Sequence, residues 1–343
     1  MTEPAVTVAI PCRADEPGLA ATLGEALARC QEAPFWGRVA VELLVCVNGS
    51  RDASGGPPAV AVRRYCEARG IPVAVTCLDD PGAVATPIPA ENPVSARLLI
   101  TRVAGKARAW NVLRASCCSP VVFVCDADVS FSRGAFARLH AGLMADPGLA
   151  LFSPKTDCLH GGTLLERVVA APYRFDFPNL SGQLYAMRAA EVPQSMPEDL
   201  IEPERWLELE VGPGRVGRDA SARVYVRATA TLADFFRQRV RIEMGKIQLR
   251  RGYPALVRRS RAQPGPRDVG RVTLREQALV GSYLCLRSLA QVWAWWRYRQ
   301  GAVDWVWRQP LTTKPTVPPS GFDVPGPTSA DHPGGPGQHR SAV

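Results

Sequence analysis

Two carboxylates one residue apart, Asp126 and Asp128, follow directly on the run Val121-Val122-Phe123-Val124-Cys125. That apolar, mostly β-branched run reads as a buried strand, so the pair falls where a strand opens into a loop. Carboxylates at i and i+2 there can converge on one hard divalent cation. Mg²⁺ or Mn²⁺ suits such oxygen ligands and bridges readily to phosphate. Taken alone, a D-x-D pair is more often a solvated acidic turn, and its neighbours in the chain decide between the two readings.

The elements that must position the pair are legible as alternating strands and helices. Residues 6–11 read as a first strand running into Cys12-Arg13-Ala14-Asp15-Glu16, with Pro17 at a helix start. Leu19, Leu23 and Leu27 recur every four residues, which predicts an amphipathic helix ending near Cys30. A second strand over 39–47 is stopped by Asn48-Gly49-Ser50-Arg51-Asp52, and a helix over 59–69 is closed by Gly70. Residues 71–78 read as a third strand, 80–95 as a long Pro/Gly/Ala loop, and 104–116 as a helix carrying Trp110 and Leu113 on one face. Beyond the carboxylates the pattern predicts a helix from 132 to about 145, strands at 149–153, 182–188 and 222–227, and a long helix over 232–250. Strand–helix alternation of this kind predicts an α/β fold, a doubly wound, mostly parallel sheet flanked by helices. Ligands bind such sheets beyond the carboxyl ends of the strands, so the loops at 12–16, 48–52 and 126–128 should form one site.

Composition narrows the partners. The 343 residues carry a formal net charge of +9, which points to an anionic partner: a nucleotide, a membrane surface or nucleic acid. Ten cysteines include no C-x-x-C pair, and several (Cys46, Cys77, Cys125, Cys285) sit in apolar runs, as reduced, buried thiols of a cytoplasmic protein would. The first residues enter a strand at once, without the pattern of a secretory signal. Residues 237–275 are rich in arginine but lack the interleaved aromatics of a nucleic-acid-binding module, so phosphate or lipid headgroups explain the charge and nucleic acid is not expected. Residues 278–296 are apolar and Trp-rich but interrupted by Arg287, which fits a core or interfacial helix better than a membrane span. Residues 312–343, rich in Pro and Gly, read as disordered.

Four segments in order resemble the family 2 glycosyltransferases of GT-A fold: Ile10 to Glu16, Val47 to Asp52, Gly105-Lys106-Ala107-Arg108-Ala109-Trp110-Asn111, and Asp126-Ala127-Asp128. The resemblance implies a Rossmann-like GT-A domain over 1–250, with a nucleotide-binding half at 5–130 and an acceptor half at 131–250. A basic and aromatic helical extension at 251–311 would follow. It also implies transfer of one sugar from a nucleotide-sugar donor, a UDP-sugar first, to a sugar or lipid-linked acceptor, with inversion. Pro11, Arg13, Asp15 and Glu16 would line the nucleotide pocket, with Asp52 and Lys106 nearby, Asp126 near the ribose and Asp128 on the metal. Asn48 stands where the family often has Asp against the base, which bears on uracil preference because an amide also donates.

The family needs a carboxylate base after the glycine-led strand, and two candidates fit. Asp199 belongs to a literal Glu-Asp pair. Glu204, just before Trp206-Leu207, fits the family's spacing better, with Pro203 in place of the first acid. Gln238-Arg239-Val240-Arg241-Ile242 is similar to the Gln-x-x-Arg-Trp motif of processive members but lacks the Trp, which argues for a single transfer. Arg239 and Arg241 would then clamp the diphosphate. The basic stretch and Trp-rich helix suggest peripheral contact with an anionic membrane on the cytoplasmic face. The rivals are a degenerate, non-catalytic subunit and a sugar nucleotidyltransferase, although the first loop lacks the glycine run that the latter would use to grip a triphosphate.

Overall fold

A computed structural model describes residues 6–80, 93–177, 179–259 and 273–301. Most of the expected 80–95 loop, the 312–343 tail and parts of the 251–311 extension lie outside the described residues. The first half alternates β1 (Val6–Arg13), α1 (Leu19–Gln31), β2 (Val41–Asn48), α2 (Gly56–Glu67), β3 (Val73–Cys77), β4 (Val94–Thr101), α3 (Lys106–Ser116) and β5 (Val121–Cys125). These five strands lie side by side in the order β3-β4-β2-β1-β5, all parallel. Alternate side chains leave the sheet on opposite faces. Val8, Ile10, Leu43, Val45 and Phe123 pack with Leu19, Leu23 and Val62 of α1 and α2. Ala9, Leu44, Leu99, Val122 and Val124 pack with Trp110 and Leu113 of α3. Both faces are covered, which is why these strands read as unbroken apolar runs.

β4 departs from the sequence reading, which left residues 96–101 without a strand. Its interior carries Arg97, a residue that argues against a buried strand until its partner is known. The partner is Glu42 of β2: Arg97 Nε lies 2.5 Å from Glu42 Oε1, and both side chains are 3% exposed. The other Glu42 oxygen accepts from Thr7 Oγ1 at 3.0 Å, and Arg97 Nη2 donates to Ser116 O at 2.6 Å. Both carboxylate oxygens and two of the three guanidinium nitrogens thus have partners, which offsets the cost of burying the charges.

The second half adds β6 (Ser130–Phe131), α4 (Ala135–Ala145), β7 (Leu151–Leu159), α5 (Leu164–Ala170), β8 (Leu184–Arg188), α6 (Pro203–Val211) and β9 (Val216–Arg227). The sheet continues β5-β8-β7-β9-β6, nine strands among the described residues. β8 is antiparallel to both β5 and β7, and β7 and β9 run parallel. β7 is longer than expected because its polar second part, from Lys155 to Leu159, pairs with β9 rather than entering the core.

The chain closes with α7 (Leu232–Gly252), α8 (Pro254–Arg259) and α9 (Leu274–Arg299). Ala290 and Ala294 of α9 are buried against Val240 and Met244 of α7. Glu243 of α7 is buried and accepts from Lys246 at 2.8 Å, Arg287 at 3.1 Å and Gln291 at 3.2 Å, which ties the two helices together. The helix expected over 278–296 is thus partly core, while Leu289, Val292, Trp293 and Trp296 face outward. Among the described residues no helix is long and apolar enough to cross a membrane. All ten cysteines are free thiols. Cys46 and Cys125 are buried as expected, but Cys285 is exposed, on an outward turn of α9.

The Arg97–Glu42 pair gives a stability prediction. Arg97→Met strands the Glu42 charge in the core and should lower the unfolding free energy by about 3–5 kcal/mol. Urea unfolding should show most of that loss recovered in Arg97→Met/Glu42→Leu. An equal loss in single and double variants would contradict the uncompensated-charge account.

Candidate functional site

Parallel register brings the carboxyl ends of the central strands level, with Arg13 opposite Asn48 and Asn48 opposite Thr101. The loops leaving β1, β2 and β5 therefore meet, as expected, around one cavity of about 680 Å³. Its wall includes Pro11, Arg13, Asp15, Asn48, Asp52, Lys106, Asp126, Asp128, Glu204 and Arg241. Three predicted residues are not part of that wall. Glu16 is buried and accepts from Gly18 N at 2.8 Å, closing the start of α1. Asp199 is exposed, and Gln248 Nε2 donates to its backbone oxygen at 2.8 Å. Arg239 turns to α9, its guanidinium carbon 5.3 Å from the centroid of the Tyr283 ring.

Lys106 stands at the centre. It opens α3 directly after Gly105, whose φ of 138° is a conformation that side-chain-bearing residues rarely adopt. Its Nζ lies 2.6 Å from Asp126 Oδ1 and 2.6 Å from Glu204 Oε1, and donates to Gly182 O at 3.3 Å. Burial works against its charge, but the two carboxylates more than reverse that and hold the ammonium above its ordinary range. Burial pushes the Asp126 carboxyl up to about 6; Lys106 opposes the shift, while Glu204 and Asp128 add to it. The loop carrying both aspartates is held from below by Thr22 of α1, whose hydroxyl lies 3.0 Å from both Ala127 O and Val129 O. Nothing in the local sequence around Thr22 signals this contact, which spans over a hundred residues.

Asn48 has a structural task. Its Nδ2 donates to Cys12 O at 2.8 Å, and its Oδ1 accepts from Gly105 N at 3.2 Å. The amide thereby ties the β1 loop to the start of α3, using donor and acceptor together, which a carboxylate cannot do. Arg13 and Asp15 form a two-pronged pair at 2.8 and 2.7 Å. The Asp52 carboxylate, exposed, accepts from Ser54 N at 2.8 Å; its hydrogen bonds to Ser54 keep it below the usual range. Arg241 Nη2 donates to Ile201 O at 2.9 Å.

The sequence reading missed Glu202, Gln183, Tyr173 and Gln238 of the same wall. Glu202 precedes Pro203, the first residue of α6, and burial pushes its carboxyl up to about 7 against the pull of Lys246 and Arg241. A second cavity of about 470 Å³ adjoins the first and shares Gly182, Gln183, Glu202 and Glu204 with it.

Asp126 and Asp128, both in the wall of the cleft, fit a hard divalent cation by donor chemistry, since each offers carboxylate oxygens. Among the described residues no cluster of three or more His, Cys, Asp or Glu side chains surrounds them. Phosphate oxygens and water would have to complete the coordination, as Mg²⁺ ordinarily requires.

Asn48→Asp removes the donor to Cys12 O and sets a carboxylate against that carbonyl. It should cost about 1–3 kcal/mol of stability, measured by urea unfolding without ligand. A neutral outcome would show that the amide does not hold the two loops together.

No family model matches the chain, and no curated protein matches it. Among solved structures it is similar to the mannosyltransferase PcManGT from Pyrobaculum calidifontis in complex with GDP-Man and Mn²⁺. That alignment has a TM-score of 0.52 and 17% identity, over 88% of this chain and 76% of that one. S. aureus TarS 1-349 in complex with UDP-GlcNAc aligns at a TM-score of 0.43 and 14% identity, over 86% of this chain and 92% of that one. The nine-stranded mixed sheet with its flanking helices is similar to GT-A structures, as the sequence led us to expect.

Proposed function

We propose that the protein is an inverting family 2 glycosyltransferase that moves one sugar from a nucleotide-sugar donor to an acceptor hydroxyl. The observation that carries this reading is the junction of two cavities at a lysine-bridged carboxylate cluster, Lys106 with Asp126 and Glu204. The nucleotide occupies the larger cavity, between the loops that carry Arg13 and Asp52, and the acceptor enters from the smaller one. Lys106 and Arg241 face the diphosphate, where ammonium and guanidinium suit phosphate oxygens. Asp128, with Asp126, holds Mg²⁺ or Mn²⁺, which supplies charge neutralisation to the departing nucleoside diphosphate. The Mn²⁺ and GDP-Man bound by the similar mannosyltransferase support a metal and a nucleotide-sugar donor.

A carboxylate at the junction takes the acceptor proton while the acceptor oxygen displaces the diphosphate from the opposite face, inverting the anomeric carbon. Of the two predicted bases, Glu204 lines both cavities and Asp199 lines neither. The Asn48 amide is committed to Cys12 and Gly105, which leaves Arg13, Asp15 and Asp52 to meet the base. A donor with a base other than uracil is therefore as well served as a UDP-sugar. Ile242 lines the cleft where processive members place Trp, which supports a single transfer.

The outward face of α9 supports peripheral contact with an anionic membrane and, with it, a lipid-linked acceptor. Val292 is 68% exposed and Trp293 53%, an unusual exposure for such side chains outside an interface. Arg299 stacks 3.9 Å from the Trp295 ring centroid, so the aromatic face carries positive charge at its end.

A thermal-shift panel of UDP, GDP, dTDP and CDP, with and without Mn²⁺, tests the donor site. One nucleotide with Mn²⁺ should stabilise the protein by about 2.7 kcal/mol at roughly 100 times its Kd, and Asp128→Ala should abolish the metal-dependent part. Folded protein that responds to no nucleotide would favour the degenerate, non-catalytic subunit. Flotation with vesicles containing anionic lipid tests the surface. Binding should be strong at low salt, weak with neutral lipid and lost in Trp293→Ser/Trp296→Ser; indifference to anionic vesicles would dismiss the membrane contact.

A further inference from the structure

We propose that Glu202, rather than Glu204, is the group that takes the acceptor proton. The inference rests on the transfer reading above and departs from the motif-based choice of base. Glu204 is a compromised acceptor: its Oε1 lies 2.6 Å from the Lys106 ammonium, which it shares with Asp126. That oxygen is already occupied by the ammonium and is not open to an incoming acceptor hydroxyl. Glu202 lies in the same shared wall, so its side chain reaches both donor and acceptor sides. Among the described residues, no hydrogen bond or ion pair engages its carboxylate.

The seat that holds Glu202 is built into α7. A Cβ at Gly245 would fall 2.3 Å from Glu202 Cγ and 3.2 Å from Ile201 Cγ2. Gly245 is in the interior of a 21-residue helix, a position where glycine costs about 1 kcal/mol relative to alanine. That cost is accounted for by the close approach of Glu202. On either side of Gly245, Arg241 Nη2 donates to Ile201 O at 2.9 Å and Gln248 Oε1 accepts from Ile201 N at 3.0 Å. Arg241, Gly245 and Gln248 are spaced i, i+4, i+7 and form one helical face. Three positions of α7 therefore fix the backbone that presents Glu202.

The charges facing Glu202 are Lys246, Arg241 and Arg239 from α7 and Glu204 from α6. Burial raises its carboxyl most, the three cations pull it down and Glu204 adds to the rise, leaving it at about 7. A base of that strength both accepts and releases a proton near neutrality. In the step, the acceptor O–H proton passes to a Glu202 oxygen as the acceptor oxygen bonds to the anomeric carbon. The anomeric C–O bond to phosphate breaks with its electron pair on the nucleoside diphosphate, and Glu202 then returns the proton to water.

The test compares wild type with Glu202→Gln and Glu204→Gln, using GDP-mannose and UDP-GlcNAc as donors with water as acceptor. Glu202→Gln should lower kcat by about 10²–10⁴-fold, leave KM for the donor within about twofold, and remove the acid limb of the kcat profile. Glu204→Gln, which frees Lys106, should act mainly on donor KM. A second reading needs no turnover. A folded-state carboxyl raised from 4.5 to about 7 holds its proton where the unfolded chain has lost it, so its contribution to stability fades as pH rises through about 7. The Tm of Glu202→Gln should therefore exceed that of wild type at pH 8 and lose the advantage at pH 5, whereas a packing change would shift both equally. Glu202→Gln with wild-type kcat and an intact acid limb overturns the assignment and leaves the transfer reading standing. A Tm difference that does not vary with pH also overturns it. Folded wild type that cleaves neither donor sinks the transfer reading and this role with it.

Discussion

The cleft concentrates acids that repel one another, and the Lys106 ammonium is a cation that bridges two of them directly. Asp126 and Asp128 come from the end of β5, Glu202 and Glu204 from the start of α6, and all four line the same cavity. Placed in a partly buried cleft without a counter-charge, such a cluster would take up protons or push its elements apart. Lys106 bridges Asp126 and Glu204 at 2.6 Å each, and so joins the parallel first half of the sheet to the mixed second half. Its own position follows from Gly105, whose left-handed backbone starts α3, and from Asn48, which holds Gly105 N. The chain of dependence runs from a turn glycine and an amide to the charge balance of the site.

The rest of the fold serves that contact. β8 returns antiparallel beside β5, so Gln183 O accepts from Asp126 N and Gly182 O from Lys106. α7 then grips the segment before α6 through Arg241 and Gln248. Glu243 fastens α9 to the outer side of α7, which couples the exposed Trp face mechanically to the helix that seats the carboxylates.

Much of this was legible before the structure. Strands buried on both faces write themselves as apolar runs, and the polar loops that end them pointed to Arg13, Asp15, Asp52, Asp126 and Asp128, which line one cavity. What the sequence concealed were pairings across long separations. The strand carrying Arg97 went unread, and the Glu42 partner that lets the arginine be buried there is fifty-five residues away, where periodicity cannot reveal it. Asn48 looked like a lost base contact, yet its two hydrogen bonds give the amide a reason of its own. Glu202 was hidden by Pro203. Read as a motif, proline replaces an acid and degrades the site; in the structure it is the first residue of α6, where its missing N–H costs nothing, and carboxylates stand on either side of it.

Charge bookkeeping over the whole cavity bears on the proposed cation. Six carboxylates and five cationic side chains line the cleft, so the cavity is close to neutral although the chain as a whole carries +9. The excess positive charge is elsewhere, much of it on α7, α8 and the residues that follow. A nucleoside diphosphate in the proposed site would thus meet no large attractive field, with Asp126 and Asp128 in the same wall as Lys106. The proposed divalent cation, held by Asp126 and Asp128, would supply the missing positive charge and free the donor site from dependence on net charge. The same reasoning separates the two anionic partners proposed for this protein. On this proposal the nucleotide would be held by local geometry and a cation inside the cleft, whereas a membrane would be met by the diffuse positive field of the C-terminal helices, which salt screens far more readily.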